Sequence, residues 1–216
     1  LGDRYMENSF TFENFEAFDN HINASIPTLS ELDVLVKTLS YDLAQEGTYV
    51  VDVGCSTGRV LRGMRHRKNV NYLGIDRDME IEPSTAVEFR RVDILDTEVP
   101  DASVIIAMFT LQFLPPHQRG EVLETLHGAL VRGGVLILAE KTHADNPRID
   151  TINQSTLMRH KTKSFTGEEI VTKQMGISPI MHLRTETELF KELDMFDSVS
   201  TFWAWGGFRA VIATKD

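Results

Sequence analysis

Short apolar segments alternate with helical or loop segments between about residues 48 and 140. Each segment is rich in β-branched residues, and nearly all of its positions are apolar: TYVVDVG, NYLGID, AVEFRRVD, SVIIAMF and GGVLILAE. Strands that helices cover on both faces have this pattern, whereas a strand with one solvated face alternates apolar and polar positions. The sequence therefore predicts an α/β fold with a mostly parallel sheet and right-handed crossovers.

A helical part precedes the predicted sheet and occupies residues 1–46. Ser30, followed by Asp33 three residues later, predicts the start of its long helix. The apolar positions of that helix fall on one face, which predicts packing against the sheet: Leu32, Leu35, Val36, Leu39 and Leu43.

The chain after the fifth apolar segment is polar. Residues 142–182 lack a strand pattern, and we predict that they form a cover over the end of the sheet where ligands bind. Thr166 with Glu169, and Thr185 with Glu188, have the spacing of capping boxes. These two pairs predict the starts of two helices.

Two connections have distinctive lengths. The closing segment DSVSTFWAWGGFRAVIATK predicts two strands joined as a hairpin through Gly206 and Gly207. Between Asp76 and Val87 only about ten residues intervene, and Pro83 is one of them, whereas a parallel crossover usually needs a dozen or more. We therefore predict a loop or a single turn there instead of a crossover helix.

Composition places the chain among ordinary globular proteins. It has 216 residues, 42% hydrophobic and 25% charged, with a formal net charge of -10, which fits a single domain over residues 1–216. The acidic balance argues against direct nucleic-acid binding but is compatible with a small anionic substrate. No apolar stretch is long enough to span a membrane.

The single cysteine, Cys55, excludes an internal disulfide and a cysteine zinc cluster. A chain with only one cysteine is typical of a reducing compartment, so we predict a cytoplasmic location. We also predict no metal site. No signal-peptide pattern precedes the first predicted helix, and a start at Leu1 instead of Met leads us to expect further residues upstream.

The segment YVVDVGCSTGRVLRGM carries the clearest chemical signal. A buried strand ends at Asp52, a turn contains Gly54 and Gly58, and a helix follows. Gly54 permits a sharp turn beside a ligand, and Gly58 allows the helix to pack close to the strand. The spacing differs from the G-x-G-x-x-G of nicotinamide enzymes and favours S-adenosylmethionine.

Acidic residues end the next two predicted strands. Asp76, in LGID, can accept hydrogen bonds from ribose hydroxyls, and Asp93, in RRVDIL, can accept one from an adenine amino group. Because the carboxyl ends of parallel strands share one sheet edge, we expect one cofactor site. The predicted cofactor-binding residues are Asp52, Gly54, Cys55, Ser56, Gly58, Asp76, Arg77, Asp93, Ile94 and Met108.

The chain resembles the class I S-adenosylmethionine-dependent methyltransferases and, within them, the carboxy-S-adenosylmethionine synthase family. The shared motifs are LGD, SIPTLSEL, GCSTG, FTLQFLPPHQR, GGVLILAEK and GEEI. The resemblance implies a Rossmann-like, seven-stranded sheet with a C-terminal antiparallel hairpin, and a homodimer. It also implies conversion of S-adenosylmethionine and prephenate into carboxy-S-adenosylmethionine for tRNA wobble-uridine modification.

Three positions depart from the family pattern. Leu29 stands where the family has a tyrosine, Met108 where it has an asparagine, and Gln174 where it has the arginine that meets the added carboxylate. Glutamine cannot replace the charge of an arginine. Arg184 or Lys173 could supply that charge from a shifted position.

The departures favour a relative that transfers the methyl group of S-adenosylmethionine to a small or tRNA-linked acceptor. The alternatives are the carboxy-S-adenosylmethionine synthase itself and a binding protein without catalysis. An acceptor that must lose a proton needs a general base, and the candidates for this catalytic role are Glu140 and His143, at the end of the fifth strand.

Overall fold

One mixed sheet forms the centre of the molecule. The computed structural model describes residues 15–78 and 84–216, and within these ranges eight strands belong to the sheet. They are β1 (Tyr49–Val53), β2 (Asn71–Asp76), β3 (Glu88–Arg91), β4 (Ala102–Met108), β5 (Leu130–His143), β6 (Arg184–Thr185), β7 (Ser198–Trp205) and β8 (Phe208–Lys215).

The strand order is β3-β2-β1-β4-β5-β8-β7, and β6 pairs with the end of β5 outside this path. The first five strands of the path are parallel, and β8 and β7 continue it in antiparallel pairs. The predicted α/β fold and closing hairpin are therefore confirmed, and β6 adds one short strand to the seven expected.

Helices cover both faces of the sheet. On one face, α4 (Pro116–Ala129) and α7 (Glu186–Glu192) pack in a core with residues such as Val51, Ile105 and Leu136. On the other, α2 (Leu29–Leu43) and α3 (Arg59–Gly63) pack in a core with Val50 and Ile137. The two faces divide alternate residues of the central strands, which explains why β1, β2, β4 and β5 are mostly apolar. The edge strand β3, with the sequence EFRR, is only partly buried.

The remaining helices lie over the carboxyl ends of the parallel strands. They are α1 (Phe15–Ser25), α5 (Pro147–Lys161) and α6 (Gly167–Ile177). Capping boxes start α6 at Thr166 and α7 at Thr185, as predicted. Among the described residues, no helix combines the length and the apolar character that crossing a bilayer requires.

Two details differ from the sequence prediction. The long helix α2 begins at Leu29, after Thr28, and not at Ser30. Leu32 and Val36 are buried in it, but Leu35 is 40% exposed because it lies at the edge of the buried face. Part of the predicted loop between Asp76 and Val87, residues 79–83, lies outside the described residues.

Candidate functional site

The turn between β1 and α3 is tied to the neighbouring strand. The backbone N–H groups of Gly54 and Cys55 both donate to the carbonyl oxygen of Ile75, at 2.7 and 3.1 Å. Gly54 has a φ of 70°, and a Cβ atom at this position would overlap the side chain of Thr110. Glycine is therefore required here for both conformation and space.

The second predicted glycine has a packing role. Gly58 has a φ of 73° and caps α3, and a Cβ atom there would approach the ring of Phe89 to 2.7 Å. Phe89 lies on β3, so Gly58 lets the helix approach the neighbouring strands as predicted.

Asp76 connects the turn to the end of β2. Its Oδ2 accepts a hydrogen bond from the Ser56 backbone N–H at 2.9 Å, and its Oδ1 accepts one from the Asp78 N–H at 3.0 Å. Asp93, beyond β3, accepts a hydrogen bond from the Leu95 N–H at 3.1 Å and one from the Arg77 guanidinium at 3.3 Å. The predicted carboxylates thus stand at the ends of neighbouring strands with fixed orientations.

A cavity of about 370 Å³ opens beside the turn. Four predicted residues of the β1 end and turn line it, and Met108 lines it from the end of β4. The cover and α1 supply the other walls. Side chains from these walls and from the strand ends include Asp19, Phe113, Lys141, Leu157, Lys161, Lys173, Met181 and Phe208. Asp52, Gly54, Cys55 and Ser56 are the four residues from the turn side.

The other predicted cofactor residues lie outside the lining of this cavity. Gly58, Asp76, Arg77, Asp93 and Ile94 occupy the adjoining edge of the sheet. The hydrogen bond from the Ser56 N–H to Asp76 joins the two parts. The predicted set therefore forms two neighbouring groups, one in the cavity and one at the ends of β2 and β3.

The turn side of the cavity has the features of a site for a polar ligand. The hydroxyl oxygen of Ser56 is buried and has no hydrogen-bond partner among the described residues, although it borders the cavity. A buried hydroxyl normally has such a partner. A ligand with amino-acid and nucleoside groups, such as S-adenosylmethionine, would supply it.

Burial sets the ionisation of two groups beneath the turn. Burial, together with the charge of Asp76, raises the pKa of Asp52 to about 7. Burial also raises the pKa of the Cys55 thiol far above its usual value, and Asp52 and Asp76 add to the effect. The thiol is therefore protonated at neutral pH and is a small packing residue beside the ligand, not a nucleophile.

The structure places both predicted catalytic residues outside the cavity lining. Glu140 is 1% exposed, and its two oxygens accept hydrogen bonds from the Arg119 guanidinium, each at 2.7 Å. His143 is half exposed and contacts Asp150 at 3.2 Å. Arg119 also contacts Glu192 at 2.5 Å, and Glu192 in turn contacts Arg184 at 2.6 Å.

Of the two residues predicted to replace the family arginine, Arg184 is thus paired within this ion-pair network, whereas Lys173 lines the cavity.

Sequence reasoning missed the contribution of α1. Asp19 of this helix accepts a hydrogen bond from the Thr57 hydroxyl at 3.0 Å and lies 3.6 Å from Arg59, so α1 is held against the turn. A contact between residues this far apart in sequence leaves no local pattern.

Comparison with known proteins agrees with this geometry. A family model described as a methyltransferase domain matches residues 50–134. Human N-acetylserotonin methyltransferase in complex with S-adenosylmethionine has a TM-score of 0.61 at 15% identity, covering 92% of this chain and 55% of that one. An O-methyltransferase family protein from Burkholderia thailandensis has a TM-score of 0.60 at 16% identity, covering 93% and 59%. Fold and site define an S-adenosylmethionine-dependent transferase.

Full-length relatives narrow the class to one family. The carboxy-S-adenosyl-L-methionine synthase of Wolinella succinogenes is 30% identical to this chain, and the match covers 97% of this chain and 95% of the relative. The synthase of Pseudoalteromonas translucida is also 30% identical, and its match covers 96% of this chain and 93% of the relative. The synthase of Staphylococcus epidermidis is 28% identical over 92% of both chains. The chain belongs to the carboxy-S-adenosyl-L-methionine synthase family, and the resemblance predicted from its motifs is confirmed.

Proposed function

We propose that this enzyme transfers the methyl group of S-adenosylmethionine to a small acceptor bound in the cavity. The observation that carries the proposal is the environment of the three positions where the chain departs from its family. Leu29 is 1% exposed within the core, Gln174 is exposed on α6 outside the cavity lining, and Met108 presents an apolar side chain to the cavity. None of the three side chains offers a charge to a carboxylated sulfonium.

Different predicted residues bind different parts of the cofactor. Asp76 and Arg77 receive the ribose, and Asp93 and Ile94 receive the adenine, at the ends of β2 and β3. The backbone of Gly54, Cys55 and Ser56 would hold the methionine part, and Asp52 and Met108 line the same cavity. Gly58 allows the close approach of α3 that shapes this edge.

When bound, S-adenosylmethionine supplies an activated methyl group. The residues of the cavity hold the acceptor at attack distance and exclude water, and such positioning can lower a barrier by about 7 to 11 kcal/mol. Among the described residues that line the cavity there is no histidine. The predicted bases Glu140 and His143 also lie outside the lining, and an acceptor atom that is already nucleophilic needs neither of them.

A second candidate is carboxy-S-adenosylmethionine synthesis from S-adenosylmethionine and prephenate. The names of the relatives favour it, as does Lys173, which supplies a cationic group to the cavity in place of the family arginine. The same enzyme would then serve tRNA wobble-uridine modification through its product.

Native mass spectrometry of the purified enzyme separates the two candidates. Bound S-adenosylmethionine or S-adenosylhomocysteine, with methyl transfer on supplying acceptors, supports the methyltransferase. A bound nucleoside heavier than S-adenosylmethionine by one CO₂, or its formation on adding prephenate, supports the synthase. A preparation that binds no nucleoside and takes up none overturns both.

The family resemblance also supports a homodimer, and the single cysteine supports a cytoplasmic location. Sedimentation velocity tests the first of these expectations, and imaging of the tagged protein in its host tests the second.

A further inference from the structure

Three lysines from three different elements converge on the cavity. Lys141 lies near the end of β5, Lys161 is the last residue of α5, and Lys173 lies on α6. Each is at least partly buried, which is rare for lysine. The walls around them are mostly apolar and include Phe113, Leu157, Met181 and Phe208.

The acidic side chains that line the cavity do not pair with Lys141 or Lys161. Asp19 is bound by Thr57 and Arg59, and Asp52 lies beneath the turn at the end of β1. Within residues 15–78 and 84–216, the ammonium groups of Lys141 and Lys161 have no hydrogen bond or ion pair, although Asp150 acts on Lys141 from a distance.

Two neutral side chains contact Lys173. Its ammonium group contacts the ring of His21 and lies 3.4 Å from the Ser25 hydroxyl. Burial lowers the pKa of His21 to about 4, and the charges of Lys173 and Lys161 add to this effect, so the ring is neutral. The cavity thus holds more cationic than anionic side chains.

The lysines also repel one another. Burial lowers the pKa of all three, and for Lys173, with the added effect of Lys161, the pKa falls to about 8. Lys141 has the same effect on Lys161. A bound anion would relieve both the burial of charge and this repulsion, because it would stand among three donors that are already positioned.

We propose that Lys141, Lys161 and Lys173 form a subsite that binds a carboxylate of the acceptor, while the acceptor's apolar body lies against Phe113, Met181 and Phe208. The inference rests on the proposed function in assuming that the cofactor occupies the turn side of the cavity. The cofactor's own carboxylate is the other possible source of the anion, and the experiment separates the two.

The test compares phenylacetate with phenylacetamide, which has nearly the same shape and no charge. Both are titrated by ligand-observed NMR into the enzyme loaded with S-adenosylhomocysteine. We expect phenylacetate to bind at least ten-fold more tightly, because it forms charge-assisted hydrogen bonds that the amide cannot.

Variants then assign the effect to the subsite. Lys161→Gln and Lys141→Gln should each weaken phenylacetate binding roughly ten-fold, and leave the affinities for phenylacetamide and S-adenosylhomocysteine unchanged. Lys163→Gln is the matched control, because Lys163 is exposed two residues beyond Lys161 and does not line the cavity. It should leave all three affinities unchanged.

Three outcomes overturn the subsite: equal binding of acid and amide, no saturable binding of the acid, or lysine variants that weaken S-adenosylhomocysteine instead of phenylacetate. The last result would assign the lysines to the cofactor carboxylate. Failure of the wild-type enzyme to bind S-adenosylhomocysteine overturns the proposed function instead. In that case the comparison of acid and amide on the nucleoside-free protein still decides the subsite.

Discussion

Single carboxylates organise the turn at the residue scale. Asp76 accepts backbone hydrogen bonds from Ser56 and Asp78, so it holds the conformation of the turn in addition to facing the proposed ribose position. Asp52 lies beneath the same turn, and its proximity to Asp76 contributes to its raised pKa. The two carboxylates therefore have different expected effects when replaced.

Asp76→Ala should reduce the affinity for S-adenosylhomocysteine at least 100-fold. It removes the acceptor for two ribose hydroxyls, and each hydrogen bond to a charged group contributes about 1.5 to 3 kcal/mol. Isothermal titration calorimetry measures this. Asp101→Ala is the control, since Asp101 is exposed and lies just before β4, at the opposite end of the parallel strands from the turn. Unchanged affinity in Asp76→Ala would show that the ribose contact lies elsewhere.

Asp52→Asn should change the pH dependence of stability. The pKa of Asp52 is about 7 in the folded state, against the ordinary 3.8 of an aspartate carboxyl in the unfolded chain. Between these two values the folded state retains a proton that the unfolded state has lost. Stability contributed by this group is present at acidic pH and falls as pH rises towards 7. Relative to Asp52→Asn, the wild type should lose up to about 3 kcal/mol between roughly pH 5 and pH 8.

Urea unfolding of both proteins at several pH values measures this difference. Asp96→Asn removes an exposed carboxylate and corrects for the loss of one negative charge. A constant difference between wild type and Asp52→Asn across this range would contradict a raised pKa.

At the scale of elements, a buried ion-pair network joins the helices on one face to the end of β5. Arg119 of α4 binds Glu140 of β5 and Glu192 of α7, and Glu192 also binds Arg184 of β6. Lys141, the next residue after Glu140, faces the cavity instead. The network thus fixes the strand end from which one proposed substrate contact projects.

Glu140→Gln should therefore lower stability without removing the chemistry. Removing one partner of a buried ion pair costs about 3 to 5 kcal/mol when the other charge is left uncompensated. Glu192 still pairs with Arg119 in this variant, so the loss should lie below that range. The double variant Arg119→Met/Glu140→Leu should recover most of this loss, since it buries no unpaired charge. Unfolding free energies measure both effects. A variant Glu140→Gln that folds normally but loses an ionisation from the pH profile of kcat would instead make Glu140 the general base.

The sequence predicted the helices, strands and turns more accurately than it predicted which side chains meet in the cavity. Apolar segments, Gly54, and the capping boxes at Thr166 and Thr185 are local signals, because the physical requirement and the residue that meets it lie within a few positions. The position of Lys161 in the cavity depends on how α5 packs over the sheet. For the same reason Glu140, a residue at a strand end, was predicted to be catalytic although its carboxylate faces Arg119.

At the scale of the whole molecule, the net charge favours a small-molecule substrate over a nucleic acid. The net charge is -10, and the basic residues that follow the turn are already engaged. Arg59 pairs with Asp33, Arg62 lies over the Phe89 ring at 4.9 Å, and Arg65 lies over the Tyr41 ring at 5.1 Å. These contacts stabilise the packing around α2 and α3.

Unmodified tRNA should therefore bind weakly, with a Kd above about 10⁻⁴ M at physiological salt, which is the weak limit of non-specific nucleic-acid binding. Fluorescence anisotropy with labelled tRNA measures this, and Arg65→Ala should leave the signal unchanged. Micromolar binding that weakens steeply with salt would contradict the expectation, because that slope counts the phosphates neutralised by the protein. Such a result would place the acceptor on RNA, whereas weak binding leaves the enclosed cavity as the place where a small anionic acceptor meets the cofactor.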